Sequence, residues 1–319
     1  MAELTRQEHP PSAEVSVVIP TVNRPQLVVR AVQSALRQTS APYEVLVVLD
    51  GTDEADVAEV RKLEDARVHI LSTGGGSNDA GATARNLGIR EAGGHWVALL
   101  DDDDEWLPNK LERQLAEAGA IGEHQAIVVS SMVERRSART STIWPTRPIR
   151  PDERVADYLF LRSSPGEGWL PTPTLMVPRA IAIDTPFDTS LRQHEDLDWM
   201  LRLEARGARF VVVPETLAVV HVAEGISLSN SARWPDSLAW ACDRRTVLGE
   251  RAFSAFCLTE VSRIARRRPS LRAFAKIARN GLSGKPRAID VTQFLATWLV
   301  PDRVRRFLNG VRSAAVRRG

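Results

Sequence analysis

The sequence predicts an α/β protein in which helices flank a mostly parallel sheet and a helical extension follows at the C-terminus. Three observations carry this. Short β-branched runs alternate with amphipathic stretches as far as Ser130, the pattern of βαβ crossovers that place helices on both faces of a sheet. Glycine, proline and aspartate mark the junctions between them. Charge then divides the chain: residues 231–319 carry 19 Lys/Arg and 6 Asp/Glu, whereas residues 1–230 carry 23 and 34. Opposite charge suits two modules. We expect a flexible N-terminal tail over residues 1–13, an α/β domain over 14–228 and a basic helical extension over 229–319.

The elements follow in order. Val15 to Ile19 is β-branched and closed by Pro20, as suits a buried strand. Pro25 opens a helix whose apolar face pairs Leu27/Val28, Ala31/Val32 and Ala35/Leu36. Glu44 to Leu49 reads as a second strand, stopped by the turn residues Asp50-Gly51-Thr52-Asp53. Helix is expected over Glu54 to Leu63 and strand over Val68 to Leu71. A glycine-rich loop, Gly74 to Asp79, leads into a helix from about Gly81 to Ala92. His95 to Leu100 is a fourth strand that runs straight into Asp101-Asp102-Asp103-Asp104. Pro108 starts a helix that Gly119 ends, and Ala126 to Ser130 is a fifth strand. Beyond it Arg135 to Pro151 reads as loop and Asp152 to Arg162 as helix. Thr174 to Val177, Arg209 to Val213 and Leu217 to His221 are strand-like, with a helix over Glu195 to Ala205. From about Ser237 the chain is helical and basic.

Composition narrows the function classes. With 43% hydrophobic and 26% charged residues the chain is of ordinary globular type. Its two cysteines form no CxxC pair, which argues against a disulfide framework or a zinc site and fits a reducing compartment. The polar N-terminus lacks the apolar stretch of a secretory signal, and no run approaches the roughly eighteen apolar residues of a membrane span. A soluble cytoplasmic protein is expected, with peripheral contact at the inner face of the plasma membrane left open.

Ligands of open α/β sheets bind beyond the carboxyl ends of the strands. Thr21-Val22-Asn23-Arg24, Asp50-Gly51 and Asp101 to Asp104 all fall at such ends. Four consecutive aspartates after a buried strand are electrostatically costly unless a cation joins them. A hard divalent ion takes carboxylate oxygens and shares its remaining positions with phosphate. Asp104 or Glu105 is also placed to cap the helix at Leu107-Pro108.

Val17-Val18-Ile19-Pro20-Thr21, Asn23-Arg24, Asp50-Gly51, Ala84-Arg85-Asn86-x-Gly88-Ile89 and Leu100 to Pro108 together resemble the signature of glycosyltransferase family 2, closely over residues 15–115 and more loosely over 170–221. The resemblance implies a GT-A fold with a Rossmann-like sheet. It implies an inverting, metal-dependent hexosyltransferase that carries a sugar from a nucleotide-diphosphate donor, UDP- or dTDP-sugar favoured, to a hydroxyl of a saccharide or lipid-linked acceptor. Cell-surface polysaccharide or glycolipid synthesis is the family's usual setting.

Residue by residue, the resemblance puts Pro20 and Thr21 at the nucleoside pocket, Asn23 and Arg24 among the donor-binding residues and Asp50 against the base, where a plain turn former is the alternative. Arg85 would face the diphosphate, or else form a salt bridge. Asp101 and Asp103 would form a D-x-D motif for Mn²⁺ or Mg²⁺. Asp103 is the expected direct ligand, and Asp101 or Asp102 would lie near the ribose. His221 would complete the metal shell or serve structure alone. A transfer of this kind needs a base on the acceptor hydroxyl. Glu195 and Asp196 could simply cap a helix; the resemblance implies Asp196 as catalytic base with Glu195 beside it. Trp169 and Trp199 are either acceptor platforms or core.

Other classes fit less well. The glycines at 74–76 and 81 do not form G-x-G-x-x-G after the first strand, and no GK[ST] follows a glycine loop. The basic tail has no nucleic-acid-binding motif, so no nucleic acid partner is expected. The alternative of the same fold is a catalytically inactive nucleotide-sugar-binding or scaffold protein. The C-terminal basic helices read equally as a peripheral contact with anionic lipid or as a cap packed on the acidic domain.

Overall fold

The computed structural model describes residues 14–51, 54–77, 79–122, 126–138, 140–222 and 233–300. The expected N-terminal tail, residues 1–13, lies outside them, as do Thr52, Asp53 and Asn78 of the expected turn and glycine loop. The chain divides into two compact units, Met1–Leu228 and Ser229–Gly319.

Among its described residues the first unit has nine strands: β1 (Val15–Thr21), β2 (Glu44–Leu49), β3 (Val68–Ser72), β4 (Trp96–Leu99), β5 (Glu105–Trp106), β6 (Ile127–Arg136), β7 (Ser141–Trp144), β8 (Met176–Pro178) and β9 (Arg209–His221). The sheet runs β3-β2-β1-β4-β8-β6-β9-β5, with β7 paired to β6. β1 to β4 are mutually parallel, and β9 runs parallel to β6. β8 is antiparallel to both β4 and β6, which makes those two parallel to each other across it. Six of the nine strands thus point one way and carry their carboxyl ends to a single edge. β1 and β2 are buried almost throughout, as their unbroken β-branched runs require of strands covered on both faces.

Among the described residues of this unit there are seven α-helices: α1 (Pro25–Leu36), α2 (Glu54–Arg61), α3 (Ala82–Glu91), α4 (Lys110–Ile121), α5 (Val155–Phe160), α6 (Arg179–Asp184) and α7 (Glu195–Ala205). α1 buries Val28, Ala31, Val32 and Ala35. α3 lies close on β1 and β2 because Gly88 has no side chain: a Cβ there would stand 2.4 Å from Val18 Cγ1. Any larger residue would overpack this contact.

Several boundaries differ from the sequence reading. β6 runs on to Arg136 and turns back as β7, so part of the expected Arg135–Pro151 loop is a hairpin. β7 is short, edge-placed and mostly exposed, which removes the burial signal that marks strands in a sequence. The two expected strands at 209–213 and 217–221 are one strand, β9, whose register against β6 shifts beside Ser131 and Met132 and so accommodates Pro214. Helix α4 passes through Gly119 and stops at Gly122, whose φ of 98° suits glycine alone.

The second unit is helical: α8 (Trp234–Asp243), α9 (Arg245–Phe256), a π-helical turn (Cys257–Val261), α10 (Ser262–Ala265), α11 (Leu271–Ser283) and α12 (Ala288–Leu299). Phe253, Phe256, Leu258, Val261, Ile264, Ile277 and Phe294 are buried in it. Ser270 caps α11 by accepting the Ala273 N–H at 3.1 Å. Cys242 and Cys257 are both free thiols. Among the described residues no helix is long and apolar enough to cross a membrane.

Candidate active site

The acidic loop leaves β4 at Leu100 and is held from three sides. Asp101 accepts a 2.7 Å hydrogen bond from Arg85 Nη2. Asp102 is buried and accepts from Thr21 Oγ1 at 2.8 Å and Arg24 Nη1 at 2.9 Å. Asp103 keeps 43% of its side chain exposed and meets Arg24 Nη1 at 3.3 Å. Asp104 is buried and accepts the backbone N–H of His221 at 2.9 Å. It therefore ties the loop to β9 and does not cap a helix, because the cap position of α4 is Asn109. Glu105 caps nothing either: it lies on β5, 2.7 Å from His221 Nε2 and 3.6 Å from Arg30 Nε.

Loop placement is set by polar side chains of α1 and by Gln38 just beyond it. Ser34 Oγ accepts the Trp106 N–H at 3.1 Å, and Gln38 bonds both Leu107 O and the Leu111 N–H. Arg30 donates to the carbonyl of Asp103. Buried polar groups of this kind fix a conformation because leaving one unpaired costs about 1–3 kcal/mol.

Negative charge on the loop is under-compensated. Burial pushes Asp102 up to about 6 against the pull of Arg24 and the hydrogen bond from Thr21. Partial burial and the charge of Asp101 raise Asp103. Burial, then Asp101 and Asp103, hold Asp104 well above the usual carboxylate range.

Three further segments of this sheet edge adjoin the loop. Asn23 adopts a left-handed φ of 52° beyond β1, and the following N–H of Arg24 donates to Asp56 at 2.9 Å. Pro20 faces Gly81, where a Cβ would be 3.8 Å from its own. Asp50, at the end of β2, accepts from Ser77 N and Oγ, both at 2.9 Å, and from Thr73 Oγ1 at 3.2 Å. The glycine-rich loop is thus folded onto Asp50. A carboxylate still has acceptor capacity beyond these bonds.

Arg85 joins the two halves of the site. It is buried, with only 8% of its side chain exposed. Nη2 bonds Asp101, Nη1 bonds the carbonyl of Ala80 at 2.9 Å, and the same Nη1 stands 3.8 Å from Glu195 Oε1. The salt bridge is buried and not on the surface, and it lies at the acidic loop.

Glu195 and Asp196 open α7 immediately after His194, whose φ of 66° turns the chain sharply into the helix. Asp196 accepts the N–H of Leu197 at 2.7 Å, a bond that favours its charged form. Burial, then the charge of Asp196, pushes Glu195 up to about 8, against the pull of Arg85. Burial also raises Asp196. Trp199 is fully buried, stacks on Phe187 at 4.2 Å and donates to the carbonyl of Thr185; of its two readings the core one holds. Trp169 is half-buried and packs edge-on against Trp144 at 5.7 Å.

The donor set suits a hard cation shared with a diphosphate. Asp101 and Asp103 offer carboxylate oxygens from one loop, and Mg²⁺ is commonly held by one or two carboxylates plus substrate phosphates. Among the described residues no group of three or more His, Cys, Asp or Glu converges as a metal cage. His221 directs Nε2 to Glu105.

Sequence reasoning missed four residues. Asp56 is fully buried and holds both the Arg24 N–H and Thr21, yet in sequence it is one more acid in the first turn of a helix. Ser77 and Arg30 carry no signal outside the fold. Asn86 stood in the quoted motif without a role; its amide donates to Phe187 O at 2.9 Å and accepts the Phe187 N–H at 2.7 Å.

A curled, mostly parallel sheet with acidic residues gathered at its carboxyl edge is the GT-A fold. The chain belongs to glycosyl transferase family 2, whose sequence model matches residues 16–175. Among curated proteins it is 27% identical over 252 residues to the amylovoran biosynthesis glycosyltransferase AmsB of Erwinia amylovora, covering 75% of this chain and 82% of that one. It is 30% identical over 227 residues to the succinoglycan biosynthesis protein ExoO of Rhizobium meliloti, covering 69% of this chain and 64% of that one. The crystal structure of S. aureus TarS 1-349 in complex with UDP-GlcNAc matches with a TM-score of 0.62 at 18% identity, over 91% of this chain and 82% of that one.

Proposed function

We propose that this protein transfers a sugar from a nucleoside-diphosphate donor, UDP- or dTDP-linked, to a hydroxyl of a saccharide or lipid-linked acceptor, with inversion at the anomeric carbon. The observation that carries this is the placement of Arg85 between Asp101 and Glu195, at 2.7 and 3.8 Å. One buried cation thus joins the carboxylates suited to a donor with those suited to a base.

Thr21, Asp50 and the glycine loop would bind the nucleoside, and Asp101 and Asp103 would hold Mn²⁺ or Mg²⁺ against the diphosphate. The ion, when bound, supplies positive charge to the leaving diphosphate. Arg85 adds a fixed positive charge beside the same loop. Asp196 takes the acceptor proton as the acceptor oxygen bonds to the anomeric carbon and the carbon–oxygen bond to the diphosphate breaks. Burial raises both carboxyls, Glu195 to about 8, and the Leu197 N–H favours the charged form of Asp196, which suits Asp196 as the base of the pair. A single displacement of this kind inverts configuration and needs no nucleophile on the protein. His221 acts on Glu105, and through it on the loop, as a positioning residue.

The named roles of AmsB and ExoO in amylovoran and succinoglycan biosynthesis support a polysaccharide as the product class, and the UDP-GlcNAc complex of TarS supports a uridine donor. Calorimetric binding of UDP-, dTDP- and GDP-sugars with and without Mn²⁺ tests the assignment. We expect metal-dependent binding of a UDP- or dTDP-sugar, and absence of binding by every donor would overturn it.

A further inference from the structure

The second unit presents an unusual surface. Residues 261–300 contain nine Lys/Arg and a single carboxylate, Asp290. That carboxylate is buried and paired with Arg287 at 2.7 Å, so the exposed surface of this segment is cationic without relief. On α11 the exposed residues are Leu271, Arg272, Ala275, Lys276, Arg279, Leu282 and Ser283. At 3.6 residues per turn Leu271, Ala275 and Leu282 fall on one strip, with Arg279, Arg272 and Lys276 along its flank. None of these three cations makes an ion pair among the described residues.

α12 extends the apolar part. Its exposed residues are Ala288, Thr292, Gln293, Leu295, Ala296 and Leu299, without a charge among them. Leu271 is 87% exposed, Leu299 71%, Leu282 51% and Leu295 42%. Surface leucines are ordinary singly, but here four stand beside unpaired cations on two consecutive helices that pack together through Phe274, Phe294 and Trp298.

We propose that this patch docks the protein on an anionic lipid surface, with the leucines entering the headgroup boundary and Arg272, Lys276 and Arg279 meeting lipid phosphates. An amphipathic helix that binds in the plane of a membrane has an apolar strip and a Lys/Arg-rich polar face. Charge selects among occupants. A second copy of this chain meeting it through the same helices would bring a like-charged surface against it. A nucleic acid would satisfy the cations and leave the leucines in water. An anionic bilayer satisfies both. Under the function proposed above, a lipid-linked acceptor would be reached on the same surface, but the docking does not rest on that.

The test is co-sedimentation of the full chain with vesicles of phosphatidylcholine alone and of about three parts phosphatidylcholine to one part phosphatidylglycerol. We expect binding to the mixed vesicles only, weakened by salt. Each cation near an anionic surface is worth about fivefold in affinity, so Arg272→Glu/Lys276→Glu/Arg279→Glu should lose roughly 100-fold or more. Leu271→Ser/Leu282→Ser/Leu299→Ser tests the apolar half and should lose at least 10-fold. All six sites are exposed, and unchanged thermal unfolding checks that the variants fold. Absence of binding to the mixed vesicles at low salt overturns the proposal. So does equal binding by the charge-reversed variant, or a shift to dimers that the serine variant abolishes while vesicles go unbound.

Discussion

Asn86 holds the backbone of Phe187 with both ends of its amide, donating to the carbonyl at 2.9 Å and accepting the N–H at 2.7 Å across 101 residues of sequence. Helix α3 is thereby fastened to the segment that leads into α7. The residue before Asn86 is Arg85, which reaches Asp101 and approaches Glu195. One turn of helix thus sets the spacing between the acidic loop and the carboxylate pair.

Replacing Asn86 by Ala strands two buried backbone groups. The expected cost is about 2 kcal/mol or more, at about 1–3 kcal/mol for each buried group left unpaired. Urea unfolding measures it. A change below about 0.5 kcal/mol would mean that water or a neighbour replaces the amide.

Glu195 gives stability a distinctive pH dependence. In the unfolded chain it ionises near 4.5, whereas burial and Asp196 keep it protonated in the fold up to about 8. Between those values the folded state holds the extra proton, so this group erodes stability as pH rises through the window and adds no further change above it. Glu195→Gln should unfold with a flatter profile. Its advantage over the wild type should grow from pH 4.5 to 8, as followed by thermal melts, and a parallel offset at every pH would contradict the assignment.

Lys110 is fully buried, 3.9 Å from the centre of the Trp106 ring and bonded to Gln114 Oε1 at 2.6 Å. Burial lowers it well below the ordinary lysine range. The unfolded chain protonates it and the fold resists, so its cost is largest at low and neutral pH and fades as pH rises toward 10.5. Lys110→Met removes this cost but strands the buried Gln114 Oε1, so its stability relative to the wild type should fall as pH rises toward 10.5. Differential scanning calorimetry at neutral and alkaline pH checks the sign.

Much of this was legible in the chain because it depends on local pattern. The buried strands announced themselves as β-branched runs, and α7 has the bounds the sequence suggested, Glu195 to Ala205. What stayed hidden depends on the turn of one element against another. Asp104 read as a cap and proved to be an acceptor for His221 N–H, 117 residues away. Ser77 could not be matched to Asp50, nor Asp56 to Arg24, before β1 and β2 lay side by side. β7 was missed because an exposed edge strand has no buried face to write into the sequence.

The central claim is that Asp196 removes the acceptor proton while Asp101 and Asp103 hold the donor. Asp196→Asn separates these roles, since the amide keeps the size of the side chain and loses the base. Turnover of the wild type and of this variant, measured with a UDP- or dTDP-sugar beside donor affinity by calorimetry, tests it most directly. We expect a loss of about 10²–10⁴-fold in kcat with donor Kd within about threefold of wild type. Turnover near the wild-type rate would remove Asp196 as the base and, with it, the function assigned to the site that Arg85 joins.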